Sequence, residues 1–326
     1  MGPPSPGTLT RRKNGALRDR FLTRIALSPG VTGHDGPVHV TLVHNPGSGK
    51  GSDAEELATA LRDAGATHVA PRAIDTIDDG PPEPGTDRVV VAGGDGSIAP
   101  VAVWAAGAGV PFAVIPSGTA NDFARALELP TGTREAATLA ADPSATLRPL
   151  ELGRAAGRPF VNAANAGLAT HAARAATPLK QKLGPLAYAV GAVRAGISEH
   201  PLEVTVRADG EERFRGSAWQ VIVAATGAFG GGSTIAPANP DDGILDVMVI
   251  TAGPRPGLVR RAFGLRRGTL HAQDGVERIT GHDIEVVLPA HEPWNVDGEL
   301  CDELTDDAGK TTFTVEHHAI RAVVPS

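Results

Sequence analysis

The fold is decided by residues 88–97, which read Arg-Val-Val-Val-Ala-Gly-Gly-Asp-Gly-Ser. Arg88–Ala92 is a continuous apolar run that predicts a buried strand, and Ile98–Ala106 predicts the helix that follows the glycines. The same order of strand, small residues and helix occurs twice more, with strands predicted at Val38–His44 and Val110–Ile115 and helices at Ser52–Asp63 and Asn121–Leu127. Short apolar strands that alternate with helices are typical of βαβ units around a parallel sheet. We therefore predict an α/β domain over residues 37–150.

The first of these helices carries its own start and stop signals. Ser52 and Glu55 are spaced as a capping box, in which each side chain bonds the backbone N–H of the other residue. Gly65 follows the last apolar position and predicts the end of the helix.

The second half of the chain has a different texture. Turn signals such as Asp209-Gly210 and Asp242-Gly243 separate short runs that predict strands, namely Glu203–Arg207, Trp219–Ala224, Ile244–Thr251, Asp283–Leu288 and Thr312–Val315. This pattern favours an antiparallel, mainly β domain over residues 151–326, interrupted by one helix predicted at Leu179–Ile197. The pattern leaves open whether the last 20 or so residues stay in this domain or cross back to the first.

Composition excludes several classes of protein. The chain has 326 residues, enough for two cores, and no apolar run approaches the 18 or so residues that a membrane-spanning helix needs. A single cysteine excludes a disulfide framework and most zinc sites and favours a reducing cytosol. A net charge of -7 and an aromatic content of 4% argue against a nucleic-acid partner.

The N-terminal segment differs from the rest in charge. Residues 1–36 hold six basic and two acidic residues, a net charge of +4 in an otherwise acidic chain. No apolar core of a secretory signal is present in this segment. We interpret it as a basic, flexible extension, and the alternative is a tether to anionic lipid.

Three strand-to-helix junctions are rich in small residues. They are His44–Gly51, Gly93–Ser97 and Pro116–Phe123. Glycine lets a backbone approach a ligand closely, and helix N-termini present N–H groups and a positive dipole end. Because the carboxyl ends of parallel strands share one edge of a sheet, we expect these junctions to form one nucleotide or polyphosphate site.

The familiar phosphate-binding motifs do not fit. A P-loop needs glycine where His44 stands and Ser or Thr after its lysine, but Gly51 follows Lys50. No Gly-x-Gly-x-x-Gly follows a predicted strand, which excludes a dinucleotide-type Rossmann site. Asp95 lies among the glycines of the second junction, where a carboxylate would repel phosphate unless Mg²⁺ intervened. The alternative is that Asp95 caps the helix.

In these junctions the chain resembles the diacylglycerol kinase catalytic domain family, the lipid-kinase group that includes sphingosine and ceramide kinases. The resemblance rests on Asn45-Pro46-x-Ser48-Gly49, Gly93-Gly94-Asp95-Gly96-Ser97 and Pro116-x-Gly118-Thr119-x-Asn121-Asp122-Phe123-Ala124-Arg125. It covers about residues 37–326 and is strongest to the bacterial members without a membrane domain. It implies a nucleotide-binding α/β domain, shared with NAD kinases, followed by a sandwich-like antiparallel β domain.

The resemblance also implies an ATP site and the cofactors ATP and Mg²⁺. The residues expected at ATP are Asn45, Gly47, Ser48, Gly49, Gly93, Gly94, Asp95, Gly96, Ser97, Gly118, Thr119 and Asn121. Asn239, Asp242 and Ile244 match the family segment that holds a structural Mg²⁺, although Asp242-Gly243 alone indicates only a hairpin turn. Glu299, in Asp297-Gly298-Glu299, matches the glutamate proposed as general base, although this run too alone indicates a turn.

The chain departs from the family pattern at two places, and only the second bears on the acceptor lipid. Ser97 stands where threonine is usual, which keeps the hydroxyl, and Asn162–Thr170 follows the family's Asn-x-x-Gly-x-Gly run only loosely. We predict a kinase that phosphorylates diacylglycerol to phosphatidic acid. The alternatives are a sphingoid base or another lipid alcohol, a soluble metabolite as in NAD kinases, and a non-catalytic nucleotide-binding protein.

A kinase without a membrane span must meet its lipid at the membrane surface. Arg255–Arg267 holds five arginines and no acidic residue, and Leu258, Ala262 and Leu265 fall on one face of a helix. We expect this helix to make peripheral contact with the inner face of the cytoplasmic membrane. The residues expected to face the lipid headgroups are Arg260, Arg261, Arg266 and Arg267. The alternative is a helix packed on its own domain. A homodimer is left open.

Overall fold

The architecture is known from a computed structural model. It describes residues 36, 38–45, 53–176, 200–229, 233–235, 239–240, 242–255, 257–258, 260–261, 264, 267 and 269–326. The predicted helix at Leu179–Ile197, the basic extension up to residue 35 and the site residues Gly47, Ser48 and Gly49 lie outside this part of the chain.

A parallel sheet forms the centre of the first half. Its strands are β1 (His39–His44), β2 (His68–Ala73), β3 (Arg88–Gly93) and β4 (Phe112–Pro116), arranged side by side in the order β2-β1-β3-β4. Both β3 and β4 are buried along their whole length, which explains their continuous apolar sequences. Because β3 and β4 are neighbours in the sheet, the Gly-rich junctions that follow them lie next to each other.

Helices cover both faces of this sheet. They are α1 (Ala54–Asp63), α2 (Asp95–Gly107), α3 (Asp122–Ala126) and α4 (Thr133–Ala141), with a 3-10 helix at Ile74–Asp79. Apolar residues of α2 and α3 pack in a core on one face, and those of α1 and α4 pack in a second core on the other. The result is the three-layer arrangement that βαβ units predict.

The second half is mainly antiparallel. Its strands are β5 (Thr146–Ala155), β6 (Arg158–Phe160), β7 (Ala163–Gly167), β8 (Leu202–Ala208), β9 (Glu211–Ala224), β10 (Ala228–Phe229), β11 (Ser233–Thr234), β12 (Leu245–Thr251), β13 (Val276–Gly281), β14 (Asp283–Val287), β15 (Trp294–Val296), β16 (Glu299–Cys301) and β17 (Lys310–Val324). Helix α5 (Leu168–Ala176) follows β7, and a 3-10 helix spans Leu270–Ala272. Inward-facing residues of most of these strands form a separate core around Trp294 and Phe313.

The last strand joins the two halves. The first residues of β17 pair with β14, and near its end Ala322 lies opposite Phe112 of β4 in parallel register. Along most of its length β17 also pairs with β5 in antiparallel register. All described residues belong to one compact unit, residues 31–326, and the end of the chain hydrogen-bonds with the sheet of the first half.

Two details differ from the sequence predictions. The capping box was wrong, because α1 begins at Ala54 and its cap is Asp53, whose Oδ1 accepts the N–H of Glu55 at 3.2 Å. Helix α2 begins at Asp95, three residues earlier than predicted, so that Pro100 lies in its second turn. The glycines of the second junction therefore belong partly to the helix.

Candidate active site

The second and third Gly-rich junctions touch each other. Ser117 donates its N–H to the carbonyl oxygen of Gly93 at 3.0 Å, just beyond the point where β3 and β4 stop pairing. The Cα of Gly94 lies 2.6 Å from the position that a Cβ on Gly118 would occupy, closer than real Cβ contacts allow. A side chain at position 118 would push the two junctions apart, so glycine is required there, whereas a Cβ at Gly94 would lie 3.2 Å from the Cα of Gly118 and need only a small shift.

The described start of the first junction, His44 and Asn45, lies at the same edge of the sheet. Asn45 follows β1 directly, and the register pairs His44 at the end of β1 with Ala92 near the end of β3. The carboxyl ends of β1, β3 and β4 thus lie side by side, as predicted for a phosphate-binding crevice.

Asn121 shapes the third junction from within. Its backbone adopts the left-handed conformation, with φ of 51°, and its Oδ1 accepts the N–H of Gly118 at 2.9 Å. Thr119 is exposed between them, whereas Ser97 of the second junction is buried with its Oγ against Gly93. Among the predicted ATP residues here, Thr119 presents the more accessible hydroxyl.

Asp95 caps a helix other than its own. Its Oδ1 accepts the N–H of Phe123 in α3 at 2.9 Å and the side-chain amide of Asn162 at 3.1 Å. Burial raises the pKa of Asp95, although the N–H groups of Phe123 and Asp122 oppose the rise. The carboxylate therefore ties α2 to α3 and to the second half of the chain.

Asp297-Gly298-Glu299 is a hairpin turn, as the bare sequence indicates. Both Asp297 and Gly298 have positive φ, 47° and 91°, which suits the two-residue turn between β15 and β16. The Asp297 carboxylate is buried and accepts three backbone N–H groups, from Val161, Asn162 and Ala163, at 2.8–3.1 Å. The turn is thus anchored to the segment between β6 and β7.

Asp95 and Asp297 share a neighbour, Asn162, that no motif in the sequence indicated as their partner. Asn162 donates its backbone N–H to Asp297 and its side-chain N–H to Asp95, and its Oδ1 accepts the hydroxyl of Thr226 at 3.1 Å. Burial raises the pKa of Asp297 to about 7, and the negative charge of Asp95 adds to the rise. The one signal in the sequence was that Asn162 begins the Asn162–Thr170 run, which loosely follows a family motif.

Glu299 contacts the second Gly-rich junction, Gly93–Ser97. Its Oε1 lies 2.6 Å from the position that a Cβ on Gly96 would occupy, so the carboxylate lies against the first turn of α2. Arg158, the first residue of β6, donates Nη2–H to the other oxygen, Oε2, at 2.5 Å. The structure thus brings Glu299, the predicted base, to the Gly-rich junctions that are predicted to bind the phosphates of ATP (the phosphate cradle). It also places beside Glu299 an arginine that no motif indicated.

The predicted metal residues form one loop. Asp242 accepts the N–H of Ile244 on its own Oδ1 at 3.0 Å and donates its N–H to the carbonyl of Asn239 at 3.5 Å. Buried Glu151 of β5 pins the loop, because it accepts the N–H of Gly243 and donates its own N–H to Pro240. Among the described residues, no group of three or more His, Cys, Asp or Glu side chains could hold a metal ion. The loop offers one carboxylate and backbone carbonyls, oxygen donors of the kind that suit Mg²⁺.

The basic segment packs partly on its own domain. Leu258 contacts a core around Trp219, and the Arg261 guanidinium lies near Gly275 and the carbonyl of Asp274. Arg260 and Arg267 are exposed, whereas Arg266 lies outside the described residues. None of the helices among the described residues combines the length and the hydropathy of a membrane span.

Comparisons with known proteins agree with this geometry. The family model of the diacylglycerol kinase catalytic domain matches residues 39–155, and that of the YegS C-terminal NAD kinase beta sandwich-like domain matches residues 162–323. The chain is similar to the diacylglycerol kinase of Bacillus subtilis (strain 168), with 32% identity over 65% of this chain and 71% of that protein. It is also similar to a "Probable lipid kinase YegS-like" of Pseudomonas aeruginosa, with 30% identity over 74% of this chain and 78% of that protein.

A solved structure shares the fold. It is a diacylglycerol kinase from Bacillus anthracis str. Sterne, which aligns with a TM-score of 0.69 and 21% identity and covers 89% of this chain and 98% of that one. The α/β half and the sandwich-like β half therefore recur together in the same order.

Proposed function

Because this chain belongs to the diacylglycerol kinase catalytic domain family, a family of lipid kinases, we propose that it transfers the γ-phosphate of ATP to the hydroxyl of diacylglycerol and forms phosphatidic acid. One observation carries the proposal, namely the contact of the Glu299 carboxylate with Gly96. A base and a phosphate cradle meet there, as transfer to a hydroxyl requires.

The chemistry follows from this contact. The γ-phosphate would lie along the Gly-rich junctions, where helix N-termini and backbone N–H groups favour its charge. Oε1 of Glu299 takes the proton of the lipid hydroxyl while the hydroxyl oxygen bonds to the γ-phosphorus. The bond from that phosphorus to the bridging oxygen breaks, and ADP leaves. The protein contributes positioning and a proton acceptor, which is typical of phosphoryl transfer.

Magnesium would have two places in this account. A bound Mg²⁺ neutralises charge on the phosphates of ATP. Asn239, Asp242 and Ile244 would hold a structural Mg²⁺ on their oxygen atoms, and Glu151 would keep that loop attached to β5.

We also propose that the chain reaches its lipid from the membrane surface through the exposed arginines Arg260 and Arg267. Cations near an anionic surface contribute about 1 kcal/mol each. Replacing both with glutamine should weaken sedimentation with anionic vesicles at low salt, whereas replacing Arg213, exposed on the β8–β9 hairpin, should not. Equal vesicle binding by all three proteins would contradict this surface.

The acceptor is tested with γ-labelled ATP and a panel of acceptors. Diacylglycerol, a sphingoid base and NAD are each offered with Mg²⁺, and the products are separated by chromatography with a Glu299→Gln control. Label in phosphatidic acid alone is the expected result. Label in the sphingoid phosphate would change the acceptor, and label only in a water-soluble product would favour the NAD-kinase type. Nucleotide binding without labelled product would indicate a non-catalytic protein.

A further inference from the structure

Arg158 stands in a fixed relation to the Asp297-Gly298-Glu299 turn. It follows the tight turn at Ala156 and Gly157, which both have positive φ, and it opens β6. Three to five residues later, Val161, Asn162 and Ala163 hold the Asp297 carboxylate through their N–H groups. The backbone that carries Arg158 is therefore bonded to the turn that carries Glu299.

The ion pair itself adds little to stability. Arg158 Nη2 lies 2.5 Å from Glu299 Oε2, and the two side chains are 42% and 54% exposed. Pairs this exposed contribute little to the free energy of unfolding, because water screens them. The pair therefore bears on the orientation of the Glu299 carboxylate and not on stability.

The pairing fixes the orientation of the Glu299 carboxylate, with one oxygen on Arg158 and the other at the phosphate cradle. With Oε2 bonded to Arg158, Oε1 is the oxygen that lies against Gly96 at the start of α2. A carboxylate on a flexible side chain samples several rotamers, and a proton acceptor works only in those that reach the hydroxyl. A planar guanidinium restricts that choice more than a point charge does.

We propose that Arg158 is a positioning residue for phosphoryl transfer, one that holds Glu299 with Oε1 directed at the nucleotide. The inference rests on the proposed function, in which Glu299 is the base. Arg158 acts through Glu299 and not on the substrate.

The test compares Arg158→Gln with a matched control, Arg154→Gln. Arg154 lies on the same hairpin and pairs with Glu316 at 2.7 Å, away from the turn that carries Glu299. Arg158→Gln should lower kcat roughly 10- to 100-fold, the effect expected of a misplaced base, with the KM for ATP and the Tm within error of the wild type. Arg154→Gln should leave kcat unchanged. Arg158→Lys, which keeps the charge but not the fork, should recover part of the loss.

A double-variant cycle separates positioning from other roles. In a Glu299→Gln background, Arg158→Gln should have no further effect on the residual rate. A further loss of the same factor would show that Arg158 acts independently of Glu299 and would overturn the proposal, as would a wild-type kcat in Arg158→Gln when Glu299→Gln is impaired. If Glu299→Gln itself keeps a wild-type kcat, the base assignment and the proposed mechanism fail with it.

Discussion

Replacing Gly96 with alanine tests the contact between the Glu299 carboxylate and the start of α2. The new methyl would lie 2.6 Å from Oε1, 2.9 Å from Cδ and 3.0 Å from Cγ of Glu299. To reach the ordinary contact distance of 3.4 Å, the carboxylate must retreat by about 0.8 Å. A misplacement of about 1 Å at a reacting group costs on the order of 100-fold in rate. We therefore expect kcat to fall about 10- to 100-fold, or about 1.4–2.7 kcal/mol in activation free energy.

Stability should not fall with activity. Gly96 lies inside α2, its backbone does not need glycine's positive φ, and the clash is with the end of a half-exposed side chain. Alanine is favoured over glycine within helices by at most about 1 kcal/mol, so the Tm should stay level or rise. Gly107→Ala at the other end of α2 is the matched control, because a methyl there meets nothing within 4 Å.

The assay measures kcat on vesicle-borne diacylglycerol, ATP binding by calorimetry and the Tm for both variants. We expect Gly107→Ala to keep the wild-type kcat and ATP affinity, and Gly96→Ala to lose kcat without a loss of Tm. In a Glu299→Ala background, Gly96→Ala should have no further effect, because nothing remains to be displaced. A wild-type kcat in Gly96→Ala, or an equal loss without the Glu299 carboxylate, would refute the reasoning.

Three further changes test the aspartates. Asp95→Asn should weaken ATP binding more with Mg²⁺ than without it, measured by calorimetry, whereas equal losses would support a role limited to capping α3. Asp242→Ala should lower Tm and activity together, and Mg²⁺ should raise the Tm of the wild type only; a wild-type Tm indifferent to Mg²⁺ and EDTA would contradict a metal site. The pKa of Asp297 is about 7 in the folded protein against an ordinary 3.8, so the folded protein keeps this proton to a higher pH than the unfolded chain does. The free energy of unfolding should therefore fall as the pH rises from about 4 to about 7, by at most about 4 kcal/mol. Asp297→Asn should remove that slope from urea unfolding measured across this range, and parallel pH profiles for variant and wild type would contradict the shift.

Strands β3 and β4 could be predicted because a strand that is buried on both faces has a continuous apolar sequence. By contrast, β2 and α4 were not predicted. Pro71 interrupts the strand-forming sequence pattern of β2, and only Val69 of this strand is fully buried. Helix α4 buries four alanines, which give little contrast in hydropathy between its faces. The pairing of β17 with β4 joins residues about 210 positions apart, which no local pattern encodes.

In the candidate site too, local motifs could be predicted from the sequence and contacts between distant residues could not. The glycines, Asp95 and Glu299 belong to motifs that the sequence displays in order. The sequence could not reveal Arg158 and Asn162 as their partners, because those contacts join residues 141 and 67 positions apart. The cap of α1 was misplaced by one residue because Ser52 and Asp53 are both good caps and only the chain's path decides between them.

The central claim, that Glu299 is the general base, is tested most directly by the kcat of Glu299→Gln on diacylglycerol, with ATP binding and Tm measured on the same preparation. Glutamine keeps the size and polarity of the side chain but removes its capacity to accept the proton. The account predicts a fall in kcat of about 100-fold or more, the range of general-base catalysis, with ATP affinity and Tm close to those of the wild type. A fall of less than about tenfold would contradict the account.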